Sequence, residues 1–309
     1  MAGIAVAVTV CASAHAAPAS PAPAVISAAS ASRCAPAVPG SRVLTFRIGG
    51  RDRLARLYVP VGGPTGRSLP LVLSLHGSGS TAALQEATSR LDRTADAHEF
   101  LVAYPQGQRA TGAGFAWNVP GTPTWLPGGP DEAAFVRQLV ATMTERYCVD
   151  SRRVYATGFS GGARMVSQLA CEPVRIFAAV AAVGGLRAPA PCRGDAVPVL
   201  GIHGTADAQN PYAGRGQPYW TYGVPEAARR WAVHNGCAVV PATTSESAGV
   251  TLTAYRRCQR ASSVELYTLT GKGHLWPVQR IGGFDGNEVI WRFLADHPLP
   301  EDDRGQQRP

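Results

Sequence analysis

The chain has 309 residues, of which 45% are hydrophobic and 16% charged, and a formal net charge of +8 at pH 7. That apolar content suits one large core, simplest as a single catalytic domain over 41–297 with a polar tail at 298–309. The positive charge is almost all arginine, since Lys272 is the sole lysine, and its scatter along the chain argues against nucleic-acid binding.

Residues 1–16 read as a secretory signal peptide, apolar and ending in Ala14-His15-Ala16, and 17–40 as an Ala/Pro/Ser-rich leader. No later apolar run has the length of a bilayer span. Beyond the signal stand Cys34, Cys148, Cys171, Cys192, Cys237 and Cys258. This even set in an oxidising compartment suggests disulfides. Loops of intermediate length favour Cys237 with Cys258, beside Gly236, and Cys171 with Cys192; Cys34 with Cys148 follows by elimination. No two of these stand at Cys-x-x-Cys spacing, which argues against a metal centre.

Strands are expected at Val43–Ile48, Leu54–Val59, Leu71–Leu75, Leu101–Tyr104, Arg153–Thr157, Phe177–Val183, Val197–Ile202 and Val264–Leu269, with helices near 83–98, 131–147, 161–170, 224–235 and 286–295. The first two runs alternate in polarity and lack an intervening helix, which suits an antiparallel edge hairpin. From Leu71 onward the runs are mostly apolar throughout and alternate with helices. The expectation is an α/β fold, doubly wound around a mostly parallel sheet. In such sheets the loops leaving the carboxyl ends of the strands build the site.

Gly158-Phe159-Ser160-Gly161-Gly162 joins an apolar run to a helix-compatible stretch and has the form of a nucleophile elbow. A serine nucleophile needs a base and an orienting acid, in the order serine, acid, histidine on this type of sheet. Asp207 follows the run ending at Ile202, and His274 follows the run ending at Leu269. Asp195 is the poorer acid because it precedes its strand. His76 and His203 precede the acid and read as loop-holding residues, while His98, His234 and His297 read as surface. The amides of Gly161 and Ser78, with Gly77 as the fallback, are candidate oxyanion donors. Trp117, Trp125, Tyr212, Trp220 and Trp276 fall on site loops and are candidate substrate contacts; Trp231 and Trp291 fall within helices and read as core. Asp131 and Glu132, and Asp285 or Asn287, read as helix caps.

The ordered set Leu75-His76-Gly77, Tyr104-Pro105-Gln106-Gly107, Ala116-Trp117-Asn118, Tyr147-Cys148-Val149-Asp150, Tyr155 to Gly162, His203 to Asp207, Asn235-Gly236-Cys237 and Gly273 to Pro277 resembles the secreted polyhydroxybutyrate depolymerase-like and feruloyl esterase group of α/β-hydrolases, which includes acetyl xylan esterases. The resemblance implies an α/β-hydrolase fold and Ser160, Asp207 and His274 as the trio. Only the charged tail follows the last helix, so a soluble or surface-bound ester, on plant polysaccharide or polyester, is expected ahead of crystalline polymer. The expected activity is a secreted serine esterase that needs no cofactor or metal. An acyltransferase on the same scaffold and a catalytically inactive carbohydrate-binding homologue stay open. Oligomeric state is not legible.

Overall fold

Gly40–Ile48 (β1) and Arg51–Val59 (β2) pair antiparallel across a turn at Gly49 and Gly50. Both glycines have positive φ, 55° and 74°, as the favoured two-residue hairpin turn requires. The computed structural model describes residues 38–63, 67–278 and 281–301, with Met1 and Gly3. The signal and leader readings, Cys34 and most of the tail therefore lie outside the described residues.

Leu69–Leu75 (β3) is buried along its whole length and leads to helices Ala82–Ser89 (α1) and Leu91–His98 (α2). The single helix expected at 83–98 is thus two. Arg90 takes a left-handed conformation with φ 51°, and its N–H closes α1 on Glu86 O, a helix stop usually given to glycine and so unmarked in the sequence. Leu101–Pro105 (β4) follows. The next loop carries a small hairpin, Arg109–Thr111 (β5) with Gly114–Ala116 (β6).

Glu132–Tyr147 (α3), Val149–Phe159 (β7), Gly161–Ala170 (α4), Ala179–Val183 (β8), Val199–Gly204 (β9) and Val224–His234 (α5) continue the alternation. Ala242–Ser247 (β10) and Val250–Tyr255 (β11) form a hairpin that the sequence reading missed. Val264–Leu269 (β12) and Gly286–Ala295 (α6) complete the described elements.

The large sheet runs β1-β2-β4-β3-β7-β8-β9-β12-β11-β10. Its pairings from β4 through β12 are parallel, and both flanks are antiparallel. One face buries Leu71, Leu73, Ala156 and Val180 with residues of α3, α4 and α5; the other buries Val72, Tyr155, Ala181 and Leu200 with residues of α1, α2 and α6. The period-two split of each strand over two apolar layers explains the unbroken apolar runs.

Several residues differ from their sequence reading. Asp131 caps α3 through Ala134 N, but Glu132 is not a cap. It is buried and pairs with Arg53 at 2.5 Å, while its other oxygen accepts from Asn118 N at 3.2 Å. Asp285 caps α6, whereas the Asn287 side chain joins Trp276 to Ser89 O. Trp231 is core, but Trp291 is half-buried and stacks on Phe100. His297 is half-buried, held by Ser263 and Phe293 O. The polar tail begins inside the fold, since Leu299 is buried and its N–H donates to Arg152 O.

Candidate active site

β7 delivers Ser160 to the first turn of α4 with φ 53° and ψ −110°. That backbone is unfavourable for a residue with a Cβ, by about 1–3 kcal/mol, and persists where the surroundings hold it. Ser160 N donates to Val183 O at 2.9 Å, and Ser160 O accepts from Arg164 N at 3.1 Å. Close approach of backbones requires the flanking glycines. A Cβ on Gly158 would lie 2.5 Å from the Gly162 carbonyl carbon, and one on Gly162 would run into Leu75 O.

β9 and β12 are parallel neighbours, so their exit loops lie side by side. Ala206 N donates to Lys272 O at 2.9 Å and Gly271 N to Thr205 Oγ1 at 2.8 Å. Those bonds set His274 Nδ1 2.7 Å from Asp207 Oδ2. Asp207 is buried, and its Oδ1 accepts from the Gln209 and Asn210 amides at 2.9 and 2.8 Å. Burial alone would raise the carboxyl pKa; hydrogen bonds from His203, His274 and the Asn210 amide outweigh it and hold the group well below the usual carboxylate range. A bond from His274 Nδ1–H to an ionised carboxylate leaves Nε2 as the basic nitrogen. The Phe159 ring lies against the imidazole, with centroids 4.7 Å apart. Asp195 stands apart, half exposed and paired with Arg260.

Gly161 opens α4, where backbone N–H groups lack helical partners. A Cβ there would be 2.8 Å from Ser78 N, so only glycine lets the start of α4 approach the Ser78 backbone this closely. His76 anchors the Ser78 loop: its Nδ1 contacts Gly77 O at 2.8 Å and its Nε2 accepts from Gly107 N at 2.9 Å. Both contacts suit a neutral ring, and burial lowers its pKa to about 4.

The aromatic candidates divide. Trp117, Trp220 and Trp276 are buried, and their indole N–H groups bond to His76 O, Pro211 O and Asn287 Oδ1. Their place is therefore packing beneath the loops, a correction to their reading as substrate contacts. A buried indole with its N–H satisfied inside the fold is a loop anchor. Tyr212 is half-buried with its hydroxyl on Thr268, and Trp125 is 47% exposed. Phe159, inside the elbow motif, was not singled out, nor was His203 as a second partner of Asp207, although its i, i+4 spacing to that acid was visible.

The structure joins Cys171 to Cys192 and Cys237 to Cys258. The first ties the end of α4 to the loop after β8, and the second ties the end of α5 to the turn after β11. Among the described residues no group of three or more His, Cys, Asp or Glu could hold a metal ion, and no helix is long and apolar enough to cross a membrane.

The family model described as esterase PHB depolymerase matches residues 54–192. The protein named "Putative esterase NocK" of Nocardia uniformis subsp. tsuyamanensis is 33% identical over 255 residues, which cover 74% of this chain and 72% of that one. This chain belongs to the PHB depolymerase esterase family. Feruloyl esterase B of Piromyces equi is 28% identical over 262 residues, and poly(3-hydroxyalkanoate) depolymerase C of Paucimonas lemoignei 29% over 267. The chain covers 78% and 77% of itself in these two matches and spans 44% and 62% of the relatives' lengths. Among solved structures, an acetyl xylan esterase from Aspergillus awamori shares the α/β-hydrolase fold, with a TM-score of 0.59 and 18% identity over 82% of this chain and 98% of that one. The family's esterases are carboxylic ester hydrolases.

Proposed function

We propose that this family member is a secreted serine esterase in which Ser160 is the nucleophile, His274 the general base and Asp207 the orienting acid. The observation that carries the reading is the 2.7 Å contact of His274 Nδ1 with an Asp207 carboxylate kept ionised by its other donors. His274 Nε2 takes the proton as Ser160 Oγ attacks the ester carbonyl. The carbonyl oxygen becomes an oxyanion, received by the amides of Gly161 and Ser78. Collapse of this intermediate breaks the bond to the alcohol, which leaves with the proton from His274. Water, deprotonated by the same nitrogen, then cleaves the acyl-serine and regenerates the enzyme.

Secretion is supported by the signal-like start and by disulfides of the kind that persist in oxidising compartments. The relatives' names support esters of aromatic or hydroxyalkanoic acids, or acetylated xylan, as substrates. Turnover of methyl ferulate, acetylated xylan and hydroxybutyrate oligomers by wild type and Ser160→Ala tests both parts of the proposal. Hydrolysis of at least one substrate that disappears in the variant is expected, and undiminished hydrolysis by the variant refutes the nucleophile.

A further inference from the structure

Arg164 lies one turn beyond Ser160 on α4 and is only 8% exposed. Its guanidinium donates to the neutral Asn210 Oδ1 at 3.1 Å and makes no ion pair among the described residues. Asn210 itself donates its amide to Asp207 and its side chain to Gly184 O, so Arg164 is linked to the catalytic loops by one residue. Burial lowers the guanidinium pKa and the charge of Arg187 acts in the same sense, while Tyr219 and Asp207 act against them.

Arg187, on the loop after β8, also lacks a carboxylate partner among the described residues. Its Nη1 donates to Tyr222 O at 3.2 Å, and its guanidinium lies over the rings of Tyr222 and Trp220 at 3.6 and 4.7 Å. Arg230 differs, because Glu226 neutralises it at 2.8 Å. Arg164 and Arg187 share the lining of a cleft of about 210 Å³ with Gln168, Tyr219 and Tyr222, and no Asp or Glu lines it. Its walls come from α4, from Arg230 of α5 and from the loops after β6, β8 and β9.

Two guanidiniums facing one cleft repel each other, and the buried one has given up water with no carboxylate in direct contact, the Asp207 charge acting on it only from beyond Asn210. An anion in the cleft removes both costs. The planar guanidinium fork matches a carboxylate by paired N–H···O bonds. Hydrolysis of a neutral ester needs no such pair of charges. We propose that this cleft is a subsite for a free carboxylate carried by the ester substrate, lined by a residue of the helix that begins at the nucleophile. The inference rests on Ser160 as nucleophile. A hydroxyacid oligomer ending in its own carboxylate and an esterified uronic acid both present this chemistry.

The test uses matched pairs: 3-hydroxybutyrate dimer against its carboxamide, and O-acetylglucuronic acid against O-acetylglucuronamide. Wild type is expected to favour the acid of at least one pair in kcat/KM by about tenfold or more, the range of a hydrogen bond to a charged group. The pair that shows the preference identifies the source of the carboxylate. Arg164→Met is expected to bring that ratio close to one. Arg187→Gln, at a more open position, is expected to lower it and serves if the first variant does not fold. Wild-type ratios near one for both pairs, with p-nitrophenyl acetate still hydrolysed, overturn the subsite and leave the nucleophile standing. A preference that survives in both folded variants also overturns it. Absence of all ester hydrolysis overturns both proposals.

Discussion

His203 Nε2 lies 3.1 Å from Asp207 Oδ2, the same oxygen that faces His274 at 2.7 Å. Nε2 also contacts Asn210 O at 2.8 Å, so with two acceptors this nitrogen carries the proton, while Nδ1 is buried without a partner among the described residues. Asp207 thus receives a second imidazole N–H, from behind the catalytic loops.

Replacing His203 by Phe removes that donor from a buried carboxylate. A hydrogen bond to a charged group contributes about 1.5–3 kcal/mol, and a urea unfolding loss of that order at pH 7 is expected. The depressed pKa of Asp207 gives stability that is present above the ordinary value of 3.8 and is lost as pH falls below it. The variant's carboxyl moves back toward the ordinary value, so its acid unfolding begins at higher pH. His203→Gln keeps an N–H donor and discards the unpartnered Nδ1, and should recover part of the loss.

His76 gives the opposite dependence from the usual paired histidine. Its pKa falls from 6.5 to about 4 through burial, so the unfolded chain binds its proton first. Its contribution is complete above pH 6.5 and declines as pH falls toward 4, by a few kcal/mol at most. Urea unfolding at pH 7 and pH 4.5 should show this fall in wild type and a smaller fall in His76→Gln, which starts less stable because the Gly77 and Gly107 contacts are weakened.

Gly161→Ala places a methyl group against Ser78, 2.8 Å from its amide nitrogen and into its hydroxyl. Spreading the two donors should lower kcat by about a hundredfold, the typical loss for one oxyanion donor, with KM much less affected. Steady-state kinetics on a p-nitrophenyl ester check this, and an unchanged kcat removes Gly161 and Ser78 from the oxyanion assignment.

Glu132→Ala strips the partner from Arg53, whose side chain is 4% exposed and whose guanidinium lies 3.8 Å from the Phe135 ring centroid. Breaking a buried pair from one side costs about 3–5 kcal/mol. Thermal and urea unfolding should show a loss of that order.

The parallel centre of the fold was legible because strands buried on both faces must be apolar throughout, as in Leu69–Leu75 and Ala179–Val183. The β10 and β11 hairpin was not, because β10 is largely exposed and carries the polar run Ala242–Ser247, with no core face to mark it. Strand-end position singled out Ser160, Asp207 and His274. The aromatic candidates fared differently: Trp117, Trp220 and Trp276 sit on site loops as read, yet turn inward, and nothing in a sequence tells a loop anchor from a loop contact. Glu132 misled for a related reason, since its partner Arg53 is distant in sequence and no local pattern announces a buried ion pair.

The most direct test of the account is labelling of the intact protein with a fluorophosphonate, followed by peptide mass spectrometry. The account predicts one adduct, on Ser160, formed at a rate that falls by several orders of magnitude in His274→Ala while the variant stays folded. Labelling at a serine other than Ser160, or labelling of Ser160 at an unchanged rate without His274, would contradict it.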